Sequence, residues 1–275
     1  MEPVLHHLVV PGPRAKHSDE RRVAWWEWNA TGQAHPAHVV VCVHGLSRQS
    51  RDFDVLAQAL APYACVVSVD VAGRGQSDWL ADPMAYQVPT YATDLAVILA
   101  HLRQRHAMAT GTAEPYALRV DWVGTSMGGL IGMALASQPA VGLRRLVLND
   151  VGPVIEPQSL QRIGSYIGVQ GGWTLHYDPD IAVPFRVMLS QGLTEAAREA
   201  AHAGEQMLWH MYDAIQAPTL LLRGRESDLL SHDTAVAMTQ RGPRAKLVEI
   251  DGVGHAPTLV AADQVDTVKR FLLEP

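Results

Sequence analysis

Short apolar runs alternate with helix-patterned segments along most of this chain, and one turn between them is unusually constrained. Gly124-Thr125-Ser126-Met127-Gly128 reads G-x-S-x-G. It follows a strand-like run over residues 118–123 and opens an apolar, glycine-containing segment over 129–136 that suits a buried helix. Strand, sharp turn and helix together make the setting of a nucleophile elbow, in which a serine sits on strained backbone and its hydroxyl is lifted clear of the sheet. The flanking glycines fit that geometry, because a side chain on either would collide with its neighbours. Met127 would place its backbone N–H at the start of the helix, where a developing negative charge is stabilised.

The alternation predicts an α/β fold with a mostly parallel sheet and helices on its faces. Residues 5–10 and 22–28 read as two opening strands, paired as a hairpin. Residues 39–43 are continuously apolar, as in a buried central strand. Strands are expected at 64–69, 143–148, 219–222 and 246–250, and helices at 54–60, 90–105, 233–240 and 263–273. The 90–105 segment carries Leu95, Ile98, Leu99 and Leu102 at helical spacing on one face. From 153 to 216 the order breaks, with no strand evident. The expected organisation is therefore a core domain of residues 1–152 and 217–275 with a helical cap inserted at 153–216.

Ser126 needs a base, an acid and a second oxyanion donor. His255 lies in Gly252-Val253-Gly254-His255-Ala256-Pro257, a loop after the last strand, and is the expected base. Asp228, in the loop after the 219–222 strand, is the expected acid, which would orient the imidazole and stabilise its protonated form. Asp150 also follows a strand and is the alternative, with Glu226 behind it. His44-Gly45-Leu46 follows the 39–43 strand. Gly45 lets that loop turn towards the serine, the Leu46 N–H is the expected partner of the Met127 N–H, and His44 reads as a prop for the loop. In the cap, Trp173, Tyr177 and Trp209 are the expected substrate-binding residues. Tyr166, Phe185, Met188, Met207 and Met211 are further pocket candidates there.

Other chemistries find little support. The formal net charge is −6, with no basic run to suggest a nucleic-acid partner. No apolar stretch is long enough to span a bilayer. The two cysteines, Cys42 and Cys65, lie in apolar runs and read as buried free thiols of a cytoplasmic protein. The chain has 13 histidines but neither H-E-x-x-H nor C-x-x-C, so no metal site is expected. Gly73-Arg74-Gly75 is not a dinucleotide fingerprint, since Asp78 stands where a third glycine belongs.

Taken together, His44-Gly45, the stretch Asp70-Val71-Ala72-Gly73-Arg74-Gly75-Gln76-Ser77, the Ser126 elbow, Ser227-Asp228 and Gly254-His255 resemble the α/β-hydrolase superfamily in content and order. Asn149-Asp150-Val151-Gly152-Pro153 and His176-Tyr177-Asp178-Pro179 are similar to segments of its bacterial esterase-like members. The resemblance implies an eight-stranded, mostly parallel sheet whose second strand is antiparallel. It also implies no metal or organic cofactor, and hydrolysis of small or oligomeric carboxylic esters through an acyl-enzyme. A lactonase or a carbon–carbon bond hydrolase would use the same triad, and a non-catalytic ligand receptor would use the same fold. Epoxide hydrolases and haloalkane dehalogenases carry Asp at the elbow, where this chain has Ser126. The cap resembles a shortened version around residues 168–173. That would open the site to bulky or polymeric esters.

Overall fold

The computed structural model describes residues 1–112, 114, 117–168, 175–190 and 194–274. Eight strands form one sheet: β1 (Val4–Val9), β2 (Arg22–Trp28), β3 (His38–Val43), β4 (Cys65–Asp70), β5 (Arg119–Thr125), β6 (Arg145–Asn149), β7 (Thr219–Gly224) and β8 (Lys246–Ile250). Their spatial order is β1-β2-β4-β3-β5-β6-β7-β8. β2 runs antiparallel to both its neighbours, and every pairing from β4 to β8 is parallel. The strands lie within a residue or two of their expected positions.

Alternating side chains feed two cores. On β3, Val39, Val41 and Val43 point to one face, and Val40 and Cys42 to the other. The first face is covered by α2 (Val88–Thr110) and α3 (Met127–Ala136), together with α7 (His232–Gln240). The second is covered by α1 (Asp54–Leu60) and α8 (Ala262–Leu273). Central strands buried on both faces explain the continuous apolar runs of the sequence. Trp122 on β5 is fully buried, and its indole N–H donates to the Gly128 carbonyl at 3.0 Å, fastening α3 to the sheet. Cys42 and Cys65 are buried free thiols, and burial pushes both well above the ordinary thiol range.

Between β6 and β7 the described residues include the helices α4 (Pro157–Tyr166), α5 (Ala182–Ser190) and α6 (Glu195–Asp213). α6 starts on a Thr194 cap, whose hydroxyl accepts from the Ala197 N–H at 3.2 Å. Its far end docks on the body through Tyr212, which is fully buried and donates to the Met238 carbonyl at 2.6 Å. Residues 169–174, where the sequence suggests a shortened cap, lie outside the described residues. No described helix is long and apolar enough to cross a membrane.

Candidate active site

Ser126 occupies the turn between β5 and α3 with φ 52° and ψ −116°. A positive φ is costly for a residue with a Cβ and persists only where its surroundings enforce it. Here the enforcement is packing. A Cβ on Gly128 would lie 2.0 Å from the Val43 carbonyl oxygen, and one on Gly124 would lie 2.2 Å from the Gly128 carbonyl oxygen. Only glycines at both positions let α3 start this close to β3 and β5. The Ser126 N–H donates to the Asn149 carbonyl on β6 at 2.9 Å, and the Ser126 carbonyl accepts from Gly129 and Leu130.

The imidazole of His255 lies against the serine, with Nε2 2.9 Å from Ser126 Oγ. Its Nδ1 is 2.6 Å from Oδ2 of Asp150. A carboxylate only accepts, so Nδ1 carries the proton and the Nε2 lone pair faces the serine hydroxyl. Asp150 is completely buried, and two further donors hold its carboxylate. The Gly224 N–H donates to Oδ1 at 2.9 Å, and the Ser227 hydroxyl donates to Oδ2 at 2.6 Å.

Asp228, the acid expected from sequence, is not in this line. Its side chain is 43% exposed and forms a two-pronged ion pair with Arg162 of α4, at 2.6 and 2.8 Å. That pairing holds its carboxyl below the usual range, with the nearby His255 a minor contributor. Strand register explains the difference. Thr125 is paired with Asn149, so the next residues along, Ser126 and Asp150, leave neighbouring strands side by side. β7 lies one strand further out, and its loop reaches Asp150 with Ser227 instead.

Sequence reading also missed Asn149. Its side-chain amide donates to the Pro257 carbonyl at 2.8 Å and to Thr125 Oγ1 at 3.0 Å, tying the histidine loop to the elbow.

The His44-Gly45-Leu46 turn packs beside the serine. A Cβ on Gly45 would sit 3.6 Å from Ser126 Cβ. His44 is buried; its Nδ1–H donates to the Gly45 carbonyl at 2.7 Å, and its Nε2 accepts from the Val71 N–H at 3.0 Å. Burial pushes its pKa down to about 3, with Arg74 and Arg48 adding repulsion, so the ring is neutral at ordinary pH. Below the turn lies Arg74, also fully buried. It donates to the Leu46 carbonyl at 2.8 Å, the Ala72 carbonyl at 2.7 Å and the Tyr91 hydroxyl at 2.9 Å, and packs over the Tyr86 and Tyr91 rings. Among the described residues no carboxylate comes within ion-pair distance of it. Neither the Leu46 nor the Met127 N–H has a side-chain or loop acceptor among the described residues, and both residues border the space beside Ser126.

Two cavities meet at Ser126. One, of about 560 Å³, lies beside His255 and is lined by Arg48, Arg51, Asp52, Thr125 and Thr258. The other, of about 350 Å³, lies above Met127 and is lined by Leu130, Val151, Ile155, Phe185 and Met188. Of the expected pocket residues, Tyr166 lines the first, and Phe185 and Met188 the second. Tyr177 and Trp209 line neither. Tyr177 is buried, its hydroxyl accepting from the Gly168 N–H at 3.3 Å, and Trp209 packs edge-on against Tyr212 under the Arg241 guanidinium. Both serve to seat the helices on the body. Trp173 lies outside the described residues. Among the described residues no cluster of His, Cys, Asp or Glu is arranged to hold a metal ion.

A model of the alpha/beta hydrolase family matches residues 40–268. The chain belongs to the alpha/beta hydrolase family. Among relatives of this hydrolase, a 3-hydroxybutyrate-oligomer hydrolase of Cupriavidus necator is 39% identical, across 91% of this chain and 92% of its own length. A pimeloyl-(acyl-carrier protein) methyl ester esterase of Xanthomonas campestris is 26% identical, across 85% of this chain and 94% of its own. A crystal structure of an alpha/beta hydrolase from Novosphingobium aromaticivorans superposes with a TM-score of 0.75 at 30% identity, covering 98% of both chains. The eight-stranded, mostly parallel sheet is thus that of the family.

Proposed function

We propose that this hydrolase cleaves carboxylic esters with Ser126 as nucleophile, His255 as base and Asp150 as acid, and that its substrates are short oligomeric esters of hydroxy acids. The observation that carries the proposal is the unbroken hydrogen-bonded line Ser126–His255–Asp150, at 2.9 and 2.6 Å, with its serine on a strained turn. Ser126 Oγ attacks the ester carbonyl carbon as His255 Nε2 takes the hydroxyl proton. The carbonyl oxygen becomes an oxyanion held by the Leu46 and Met127 N–H groups. The intermediate collapses, the alcohol leaves with the proton from His255, and the acyl group stays on Ser126. Water, deprotonated by the same imidazole, then releases the acid. Asp150 holds the ring in the accepting tautomer and offsets its positive charge.

Two observations support an oligomeric substrate. The oligomer hydrolase of Cupriavidus necator is similar over nearly the whole chain. Open space on both sides of Ser126 also accommodates chain extending from both sides of the scissile bond. Residues 153–216 then act as the cap, since α4 supplies wall to both cavities and α5 to the smaller one. The test is release of monomer from 3-hydroxybutyrate dimer and trimer by wild type and Ser126→Ala, run beside simple esters, lactones and vinylogous diketones. Wild type should cleave the oligomers, and Ser126→Ala should lose both turnover and phosphonate labelling. Substantial residual turnover in pure Ser126→Ala defeats the mechanism. Cleavage of lactones or diketones with the oligomers untouched defeats the substrate assignment.

A further inference from the structure

The two cavities differ in which catalytic group they touch. His255 lines only the larger one and Met127 only the smaller, while Ser126 and Leu46 border both. Acyl transfer at a serine fixes what goes where. The leaving oxygen must face the imidazole that protonates it, and the carbonyl oxygen must face the oxyanion donors. The acyl chain therefore departs from the carbonyl carbon on the side away from the imidazole. We propose that the alcohol half of the ester occupies the more polar cavity beside His255 and the acyl half the apolar cavity above Met127, which favours esters whose acyl half is less polar than their alcohol half. This rests on the ester-hydrolase reading above.

The linings suit that division. The smaller cavity presents aliphatic and aromatic surface, and its two tyrosine hydroxyls are engaged elsewhere. Tyr86 donates to Asp178 at 2.7 Å, and Tyr91 accepts from Arg74. A charged group placed there would lose its hydration without finding a partner. The larger cavity adds hydroxyls, guanidinium groups and carboxylates to an apolar wall that includes Phe53, Val55, Ile163 and Val260. Its charges cancel within the wall, since Arg48 pairs with Asp52 through two hydrogen bonds and Arg51 with Asp54 through three, all at 2.6–2.9 Å. It selects hydrogen-bonding capacity rather than one sign of charge. In a hydroxy acid oligomer, the alcohol half of each ester is the half that runs to the free carboxylate. That end of the chain lies in the polar cavity, and the hydroxyl end extends through the apolar one.

A pair of isomeric esters tests the division. Monohexanoylglycerol has an apolar acid and a polar alcohol, and hexyl glycerate has the reverse. The first should be cleaved with a kcat/KM at least about tenfold higher, a difference of about 1.4 kcal/mol. Equal or reversed preference overturns the division while leaving ester hydrolysis intact. Cleavage of neither, without phosphonate labelling of Ser126, removes the ester-hydrolase reading and this inference with it. Two variants outside the triad give a second readout. Phe185→Trp should raise KM progressively across methyl esters of lengthening acyl chain and leave acetyl esters of lengthening alcohol unchanged. Val260→Trp, at the rim of the polar cavity, should do the opposite. Exchange of those two patterns overturns the assignment.

Discussion

Replacing Asp150 with asparagine changes one oxygen to an amide nitrogen and separates the two candidate acids. Three donors converge on the Asp150 carboxylate: His255 Nδ1–H, the Ser227 hydroxyl and the Gly224 N–H. An asparagine has one accepting oxygen, so its NH2 must face at least one of them. If it faces His255, it donates to Nδ1 and moves the ring proton to Nε2, where it points at Ser126 and blocks proton abstraction. If it faces Gly224 instead, a buried N–H goes unpaired, at about 1–3 kcal/mol of stability. In serine proteases the analogous change lowers kcat by about 10⁴, or about 5 kcal/mol of transition-state stabilisation, and a loss of that order is expected here. Asp228→Asn breaks an ion pair whose side chains are 43% and 42% exposed, which is worth at most about 1 kcal/mol of stability. Its kcat/KM should stay within about threefold of wild type. The assay is steady-state turnover of a soluble butyrate ester on samples titrated for active serine, with urea unfolding to separate lost activity from lost fold. Near-wild-type activity in Asp150→Asn, with a thousandfold loss in Asp228→Asn, would refute the geometric assignment and restore Asp228 as the acid.

Other perturbations have equally definite outcomes. His44 is held neutral, with a folded pKa of about 3 against an ordinary 6.5. Below pH 6.5 the unfolded chain therefore binds a proton that the fold refuses, and this group alone removes stability at about 1.4 kcal/mol per pH unit down to about pH 3. His44→Asn should unfold more easily at neutral pH but show a shallower decline in urea midpoint between pH 6 and 4; an unchanged slope would show that His44 is not the sensor. Arg74→Met leaves the Leu46 and Ala72 carbonyls without their donor and frees the Leu46 peptide to turn, so kcat should fall by about tenfold to a hundredfold with KM nearly constant. Arg74→Lys, which lacks the planar fork, should restore only part of that loss, and equal activity in all three proteins would refute the role. Gly128→Ala forces a methyl group onto the Val43 carbonyl, and should cost about 3 kcal/mol or more in unfolding experiments and abolish turnover.

Much of this fold is legible because its signals are local. A central strand buried on both faces is apolar throughout, so β3 and β7 announce themselves, and α1 keeps its expected bounds because amphipathic periodicity needs no distant partner. The elbow is legible because its residue pattern is local: Gly124 answers to Gly128 a few residues on, although Gly128 itself answers to the distant Val43 of β3. Residues 153–216 give only an absence of strands, because their aromatic, methionine and glycine residues follow no single period along the segment, although α6 begins on a local signal, its Thr194 cap. Tyr177 and Trp209 have the composition of a binding site, yet an aromatic ring packs equally well against protein or ligand, and only the contacts separate the two uses.

The acid is the instructive case, because both candidates satisfy every local criterion. Asp150 and Asp228 each follow a parallel strand, and each lies between Ser126 and His255 in sequence. What separates them is strand register, which is a property of pairs of strands. Thr125 opposite Asn149 sets Ser126 and Asp150 level on adjacent strands, and Asn149 then donates to Pro257 to draw the histidine loop over both. The β7 loop closes on this arrangement from the other side, and the residue it contributes is Ser227, one before the aspartate that the sequence favours. Its hydroxyl donates to the same Asp150 oxygen that receives His255, and it also accepts from the Leu229 and Leu230 N–H groups. Those two accepted bonds commit the hydroxyl proton to Asp150 and fix the turn that carries Asp228 outwards to Arg162. The hydrogen bonds that complete the buried carboxylate are therefore the ones that take its rival out of reach of the imidazole.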